Sequence, residues 1–134
     1  MKICITSTGK DLESTIDPRF GRCAFFLFLT EDGEVEEAIE NPGVNFSHGA
    51  GVNAAQTVIS KNAKVVITGN MGPRAYSLLD QAGVKIFLAP LGISAKEAFL
   101  KWKNNELTLL SELIQKRGFG RGPRGRRGPR RWFL

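Results

Sequence analysis

The single histidine of the chain, His48, stands directly before Gly49-Ala50-Gly51 and a run that reads as the start of a helix. A neutral imidazole ligates metals, and its charge switches near neutral pH. Glycines at a helix start leave backbone N–H groups open, at the end where the helix dipole attracts anions. The stretch therefore suits an anion or an anionic metal cluster. The plain alternative is a solvated loop histidine, because one histidine beside Gly-x-Gly is a pattern of low specificity.

Two further strings offer related chemistry. In IDPRFGRCAFF, residues 16–26, Asp17-Pro18 sets a turn, Gly21 permits a positive backbone angle, and Arg19 and Arg22 flank Cys23. Flanking guanidinium groups would stabilise a Cys23 thiolate, which suits a soft metal or redox chemistry. The competing reading plugs the core edge with Phe20, pairs Arg19 with Asp17 and leaves Cys23 as a small buried hydrophobe. In TGNMGPRA, residues 68–75, Gly69 and Gly72 lead from a strand end into a helix start, with Asn70 and Met71 between them and Arg74 in the first turn. Strand-to-helix turns also carry glycine for geometry alone. None of these loops fits the dinucleotide or nucleotide-triphosphate glycine patterns.

The elements that must hold these loops follow from apolar periodicity. Residues 2–6 and 24–30 read as strands, Glu31-Asp32-Gly33 as a turn, and 34–40 as a third strand whose acids would also suit a helix. Residues 50–61 place Val52, Ala55, Val58 and Ile59 on one helical face. A short apolar run at 64–68 reads as a buried parallel strand, and Pro73 opens a helix over 73–82 that Gly83 ends. Residues 84–88 repeat the buried strand, and a Ser94 cap starts a last helix over 94–104 with room to continue toward Gln115. The order β-β-β-α-β-α-β-α predicts an α/β domain with a mixed sheet. In such a sheet ligands bind beyond the carboxyl ends of the strands, which the loops 7–23, 41–51 and 69–74 compete to occupy.

Composition bounds the rest. A chain of 134 residues with 42% hydrophobic content supports one domain, and no run of about 18 apolar residues is present to span a membrane. A soluble, cytoplasmic protein is expected. Cys4 and Cys23 are the only cysteines, so a disulfide framework or a Cys-x-x-Cys zinc site is not expected. Charge is uneven: of 19 basic residues, eight lie in 116–134 with no acid, leaving 11 basic against 13 acidic residues in 1–115. That Gly-, Pro- and Arg-rich segment shows no strand or helix period, so a boundary near Gln115 and a disordered basic tail are expected. Its Arg121, Arg124, Arg126, Arg127, Arg130 and Arg131, interleaved with Phe119, Trp132 and Phe133, suit single-stranded nucleic acid, the competing readings being a solubilising tail, docking onto an acidic partner or attraction to an anionic membrane surface.

Taken as a set, the MKI-type first strand, "RFGRC" before an aromatic strand, "HGAG" opening the first helix, "VVITGNMGPRA" and "AGVKIFL" resemble the dinitrogenase iron–molybdenum cofactor biosynthesis family over roughly residues 1–105. That family includes small nitrogenase cofactor carriers and the C-terminal domain of the maturation enzyme NifB. The resemblance implies a ribonuclease H-like layer fold with a five-stranded mixed sheet. It also implies a non-catalytic carrier of an iron–sulfur or iron–molybdenum type cluster, working between donor and acceptor proteins. His48 falls where a cluster-coordinating histidine would be sought. His48, Gly49, Gly51, Arg19, Arg22, Cys23, Asn70, Met71 and Arg74 are then the candidate cluster-binding residues, with His48 and Cys23 as metal ligands. Nuclease chemistry is not expected, since residues 2–6 carry no carboxylate and Asp17 sits in a loop. A small-molecule enzyme is the weakest alternative, for want of a nucleophile and base pair.

Overall fold

In β1 (Lys2–Ser7) successive side chains part to opposite faces, so that Ile3 and Ile5 enter one core and Cys4 the other. β2 (Phe25–Leu29) does the same with Leu27 and Leu29 against Phe26 and Phe28, and pairs antiparallel with β1. Both strands read as continuous apolar runs because both faces are covered. The computed structural model describes residues 1–117. Across them the sheet order is β3-β2-β1-β4-β5-β6.

The acid-rich segment resolves as a strand, β3 (Val35–Glu40), antiparallel to β2 at one edge of the sheet. Ile39 opposite Phe26 anchors it to the core; Glu37 on the same face pairs with Lys61 at 3.0 Å, while Glu36 and Glu40 are exposed and charge the sheet edge against pairing with other chains. A short 3-10 turn, Pro42–Asn45, then leads to α1 (Ala50–Ser60). α1 buries Ala50, Ala54, Ala55 and Val58, and the expected Val52 is only half-buried. The alanines allow α1 to lie close against α2 (Pro73–Gln81), with Ala75 and Leu79 in the same core.

β4 (Ala63–Thr68) and β5 (Lys85–Leu88) extend the sheet in parallel with β1. α3 (Ala95–Lys103) covers the opposite face, packing Ala95, Ala98 and Phe99 over Ile3, Ile5, Val65 and Ile67. The last predicted helix does not run on toward Gln115. Asn105 adopts φ 60°, a left-handed conformation that asparagine tolerates at a helix end, and the chain turns back. Thr108–Leu109 then forms β6, antiparallel to β5, and α4 (Leu110–Arg117) returns Leu110 to the core. The sheet therefore has six strands where five were expected. No described helix is long and apolar enough to cross a membrane.

Candidate functional site

The chain leaves β1 toward β2 and β3 on one side and returns through α1 to β4 on the other. The carboxyl ends of β1 and β4 thus form the switch point at which open α/β sheets bind ligands. Thr6 and Thr68 meet there, buried, through a 2.8 Å hydroxyl hydrogen bond, and the Thr6 hydroxyl is also 2.8 Å from the Asp17 carbonyl.

Above this point the three expected loops enclose one pocket of about 260 Å³. The first contributes Arg19, Phe20, Gly21 and Arg22, the second Gly49, Ala50 and Gly51, and the third Asn70, Met71, Gly72 and Ala75. Backbone contacts join them. The Phe20 N–H donates to the Asn70 carbonyl at 3.2 Å, and Gly21 sits so close to Gly51 that a Cβ on it would lie 2.8 Å from the Gly51 Cα and N.

Two side chains that sequence reasoning assigned no joining role tie the first loop to the second. The buried Asn41 amide donates to the Gly21 and Cys23 carbonyls at 3.0 and 2.9 Å and accepts from the Gly43 N–H at 2.9 Å. Arg22 donates to the carbonyls of Gly43, Phe46 and Ser47, the Phe46 bond being 2.6 Å. Asparagine after a strand carries a turn signal, but nothing local in the sequence could show that its partners lie some twenty residues earlier.

The starts of α1 and α2 both face the pocket, and they share an unusual feature. Gly49 caps α1 at φ 81° and Gly72 caps α2, with no side-chain hydrogen bond and no acid in the first turn of either helix. α3, which lies away from the pocket, is capped conventionally: the Ser94 hydroxyl accepts from the Glu97 N–H, and Glu97 supplies the acid. The two uncapped helix starts leave donors and positive dipole ends directed at a shared space flanked by two arginines.

Of the two readings of Cys23, the geometry matches the buried one. Cys23 is buried, its sulfur 3.7 Å from the Asn41 amide, and it does not line the pocket. Burial and then the Asp17 carboxylate push the thiol well up, outweighing the smaller opposing effects of Asn41 and Arg19. Arg22 is committed to loop carbonyls, and Arg19 lies 3.4 Å from Asp17 through Nε, as the competing reading had it. Cys23 thus sits as the small buried side chain of the competing reading, beside the pocket loop rather than in the pocket lining. Burial and the neighbouring Cys23 likewise raise the Cys4 thiol.

These shifts predict a pH dependence of stability. The folded chain holds two thiol protons that the unfolded chain releases above about pH 9. Stability is therefore indifferent to these groups below that pH. Above it, stability falls by up to about 1.4 kcal/mol per pH unit per thiol. Urea unfolding at pH 8 and pH 10 measures the loss, and both thiols are expected to resist alkylation at pH 8 until the chain unfolds.

His48 is exposed, its Nδ1 3.4 Å from the Ser47 hydroxyl, and only its neighbour Gly49 lines the pocket. Arg74 is also exposed, between Pro73 and the lining residue Ala75. No group of three or more His, Cys, Asp or Glu able to hold a metal ion occurs among the described residues. The tail arginines Arg121, Arg124, Arg126, Arg127, Arg130 and Arg131 lie outside the described residues.

The sequence model of the family described as dinitrogenase iron-molybdenum cofactor matches residues 1–105. The chain belongs to that family. Among solved structures it is similar to the apo form of the orange protein from Desulfovibrio gigas, with 33% identity and a TM-score of 0.75 over 81% of this chain and 91% of that one. A candidate NifB protein from Thermotoga aligns with 32% identity and a TM-score of 0.71, covering 82% of this chain and 93% of its own. A curated relative, the uncharacterized protein MJ0580 of Methanocaldococcus jannaschii, is 36% identical over 77 residues, 55% of this chain. The match spans 65% of that relative, just under two thirds of its length. The family's six-stranded member described here keeps its glycine loops on one pocket, as the motifs led one to expect.

Proposed function

We propose that this protein is a non-catalytic carrier that binds an anionic iron–sulfur or iron–molybdenum type cluster, or its precursor, in the pocket above β1 and β4. The observation that supports this most is the pair of uncapped, glycine-led helix starts facing one space beside Arg19 and Arg22. Sulfide-bearing anions accept hydrogen bonds from such donors, and charge-assisted contacts of this kind are the stronger ones. With Cys23 buried and no cluster of ligating side chains among the described residues, the cargo keeps its own ligands and is held by N–H groups and guanidinium. His48 supplies one further contact from outside the pocket lining. Met71, buried to 2% exposure, gives the wall a soft, polarisable surface.

A carrier of this kind works in the cytoplasm between a donor that builds the cluster and an acceptor that receives it. The ribonuclease H-like layer belongs to the same reading, without phosphodiester chemistry, since its first strand carries no carboxylate. Residues 118–134 are assigned to a basic segment distinct from the carrier domain, whereas Lys116 and Arg117, placed beyond the boundary near Gln115 by composition, belong to the end of α4.

Anaerobic loading of the full chain with an extracted iron–sulfur cofactor precursor tests the proposal, with iron analysis after gel filtration. The parent and Cys23→Ala are expected to retain the cluster equally, and Arg19→Ala to bind it about tenfold more weakly, the loss of one hydrogen bond to a charged group. A parent chain that retains no cluster overturns the carrier reading, and loss confined to Cys23→Ala overturns the ligand-free pocket.

A further inference from the structure

Two arginines line the cluster pocket, and their hydrogen bonds set them apart. Arg19 has a 52% exposed side chain bonded through Nε alone, to the Asp17 carboxylate, so its two Nη groups keep no partner among the described residues. Arg22 is half-buried and gives its Nη groups to the chain itself. Nη1 donates to the Gly43 and Phe46 carbonyls at 3.3 and 2.6 Å, and Nη2 to the Ser47 carbonyl at 3.4 Å. Every acceptor is a backbone carbonyl of one strap, residues 43–47.

That strap runs directly into the pocket wall. Ser47 lies two residues before Gly49, the cap of α1. Among the described residues, Arg22 supplies the only hydrogen bonds that join the carbonyls of Phe46 and Ser47 to another segment. Gly49 itself faces open space, since a Cβ there would meet no atom within 4 Å. The start of α1, with its open N–H groups, is therefore fixed ahead by the approach of Gly51 to Gly21 and behind by the strap.

We propose that Arg22 is a positioning residue of the pocket, which latches the strap 43–47 so that the N–H donors of α1 are aimed at the cargo, and that Arg19 is the guanidinium that meets the cargo. The shape of the group carries the assignment. A planar fork of five N–H donors spans three carbonyls, which the compact ammonium of lysine does not. A cation needed for its charge alone would not have to span them. The part played in binding rests on the carrier reading, whereas the latch is a property of the chain by itself. By linkage, a strap that must be closed for binding is in turn held closed by the cargo.

Hydrogen–deuterium exchange of the full chain, read by mass spectrometry, tests the latch without any cargo. The Phe46 N–H donates to the Gly43 carbonyl at 3.1 Å and the Asn53 N–H to the Gly49 carbonyl at 3.0 Å, so peptides within 43–53 report the strap and the helix start. Arg22→Lys and Arg22→Gln are expected to speed that exchange at least fivefold and to leave the peptides of β1 and β4 unchanged. Unchanged exchange in both variants overturns the latch. Gly43→Ala opens the strap with both arginines in place, because its Cβ would lie 2.7 Å from the Gly21 carbonyl oxygen, and it reports even if the Arg22 variants fail to fold. It is expected to speed the same peptides. In anaerobic loading with the extracted iron–sulfur cofactor precursor, Arg22→Lys and Arg22→Gln are expected to lose retention alike, at least tenfold, whereas Arg19→Lys loses less than Arg19→Ala. In the parent, loading is expected to slow the strap peptides at least threefold. A lysine at position 22 that retains the cluster where glutamine does not makes Arg22 a cargo contact and overturns the assignment, as does a faster-exchanging Gly43→Ala that loads like the parent. A parent that loads no cluster overturns the carrier reading, while the exchange result still decides the latch.

Discussion

Asp17→Ala is expected to destabilise the chain by about 3 kcal/mol and to open the first pocket loop, because it removes an acceptor from several donors at once. The Asp17 carboxylate is 5% exposed and accepts from the Arg19 N–H at 3.2 Å, the Ala24 N–H at 3.2 Å and the Arg19 Nε at 3.4 Å. These contacts clasp both ends of the loop 18–24 and leave Phe20 pointing into the core, where its ring lies 6.1 Å from that of Phe26. Alanine would relieve the cost of burying a charge, but would leave the Ala24 N–H without its carboxylate partner. Asp17→Asn keeps one carbonyl acceptor of the same shape and is expected to cost less than half as much. Urea unfolding of the two variants separates these values, and equal stability of Asp17→Ala and the parent would remove the carboxylate from the account of the loop.

Gly21→Ala is the second large expected effect, and it acts by contact rather than by charge. The added Cβ would lie 2.8 Å from the Gly51 Cα and N and 3.1 Å from the Ala50 carbonyl carbon, all backbone atoms that cannot rotate away. The loop and the start of α1 must separate, at about 1–3 kcal/mol by the usual cost of overpacking. Separation also spreads the pocket donors, so cluster retention is expected to fall at least tenfold in the loading assay. Gly51→Ala is the informative partner, because its Cβ meets only the Ala75 side chain at an ordinary 3.6 Å. Its stability is expected to change by less than that of Gly21→Ala. If both variants load the cluster like the parent, the close approach of the two loops plays no part in binding.

The residues differ in how far their surroundings could be read from the chain alone. Strands 2–6 and 24–30, the helix after Gly49, the Pro73 start and the Ser94 cap are local patterns, set by period and by the conformational preferences of one or two residues. Those patterns placed three glycine loops at the carboxyl ends of strands, and the structure brings them to one pocket. The sixth strand was not legible, because a two-residue strand at 108–109 carries no period of its own and exists by pairing with β5. A left-handed Asn105 decides it, and asparagine permits that conformation without requiring it.

By itself, then, the sequence determined the α/β class, the mixed sheet, the family and the convergence of glycine-led helix starts, since each is encoded in short-range spacing. Only the tertiary structure decided the fate of the charged and polar side chains around Cys23. The motif Arg-Phe-Gly-Arg-Cys suggests two cations beside a thiolate, yet Arg22 binds the carbonyls of Gly43, Phe46 and Ser47, Arg19 turns to Asp17, and Asn41 lies on the sulfur. For Arg22 and Asn41, partners 18 to 25 residues away won because loop carbonyls must be satisfied, whereas a thiol can remain protonated at little cost; Arg19 instead took the carboxylate two residues before it, a pairing that its spacing already offered.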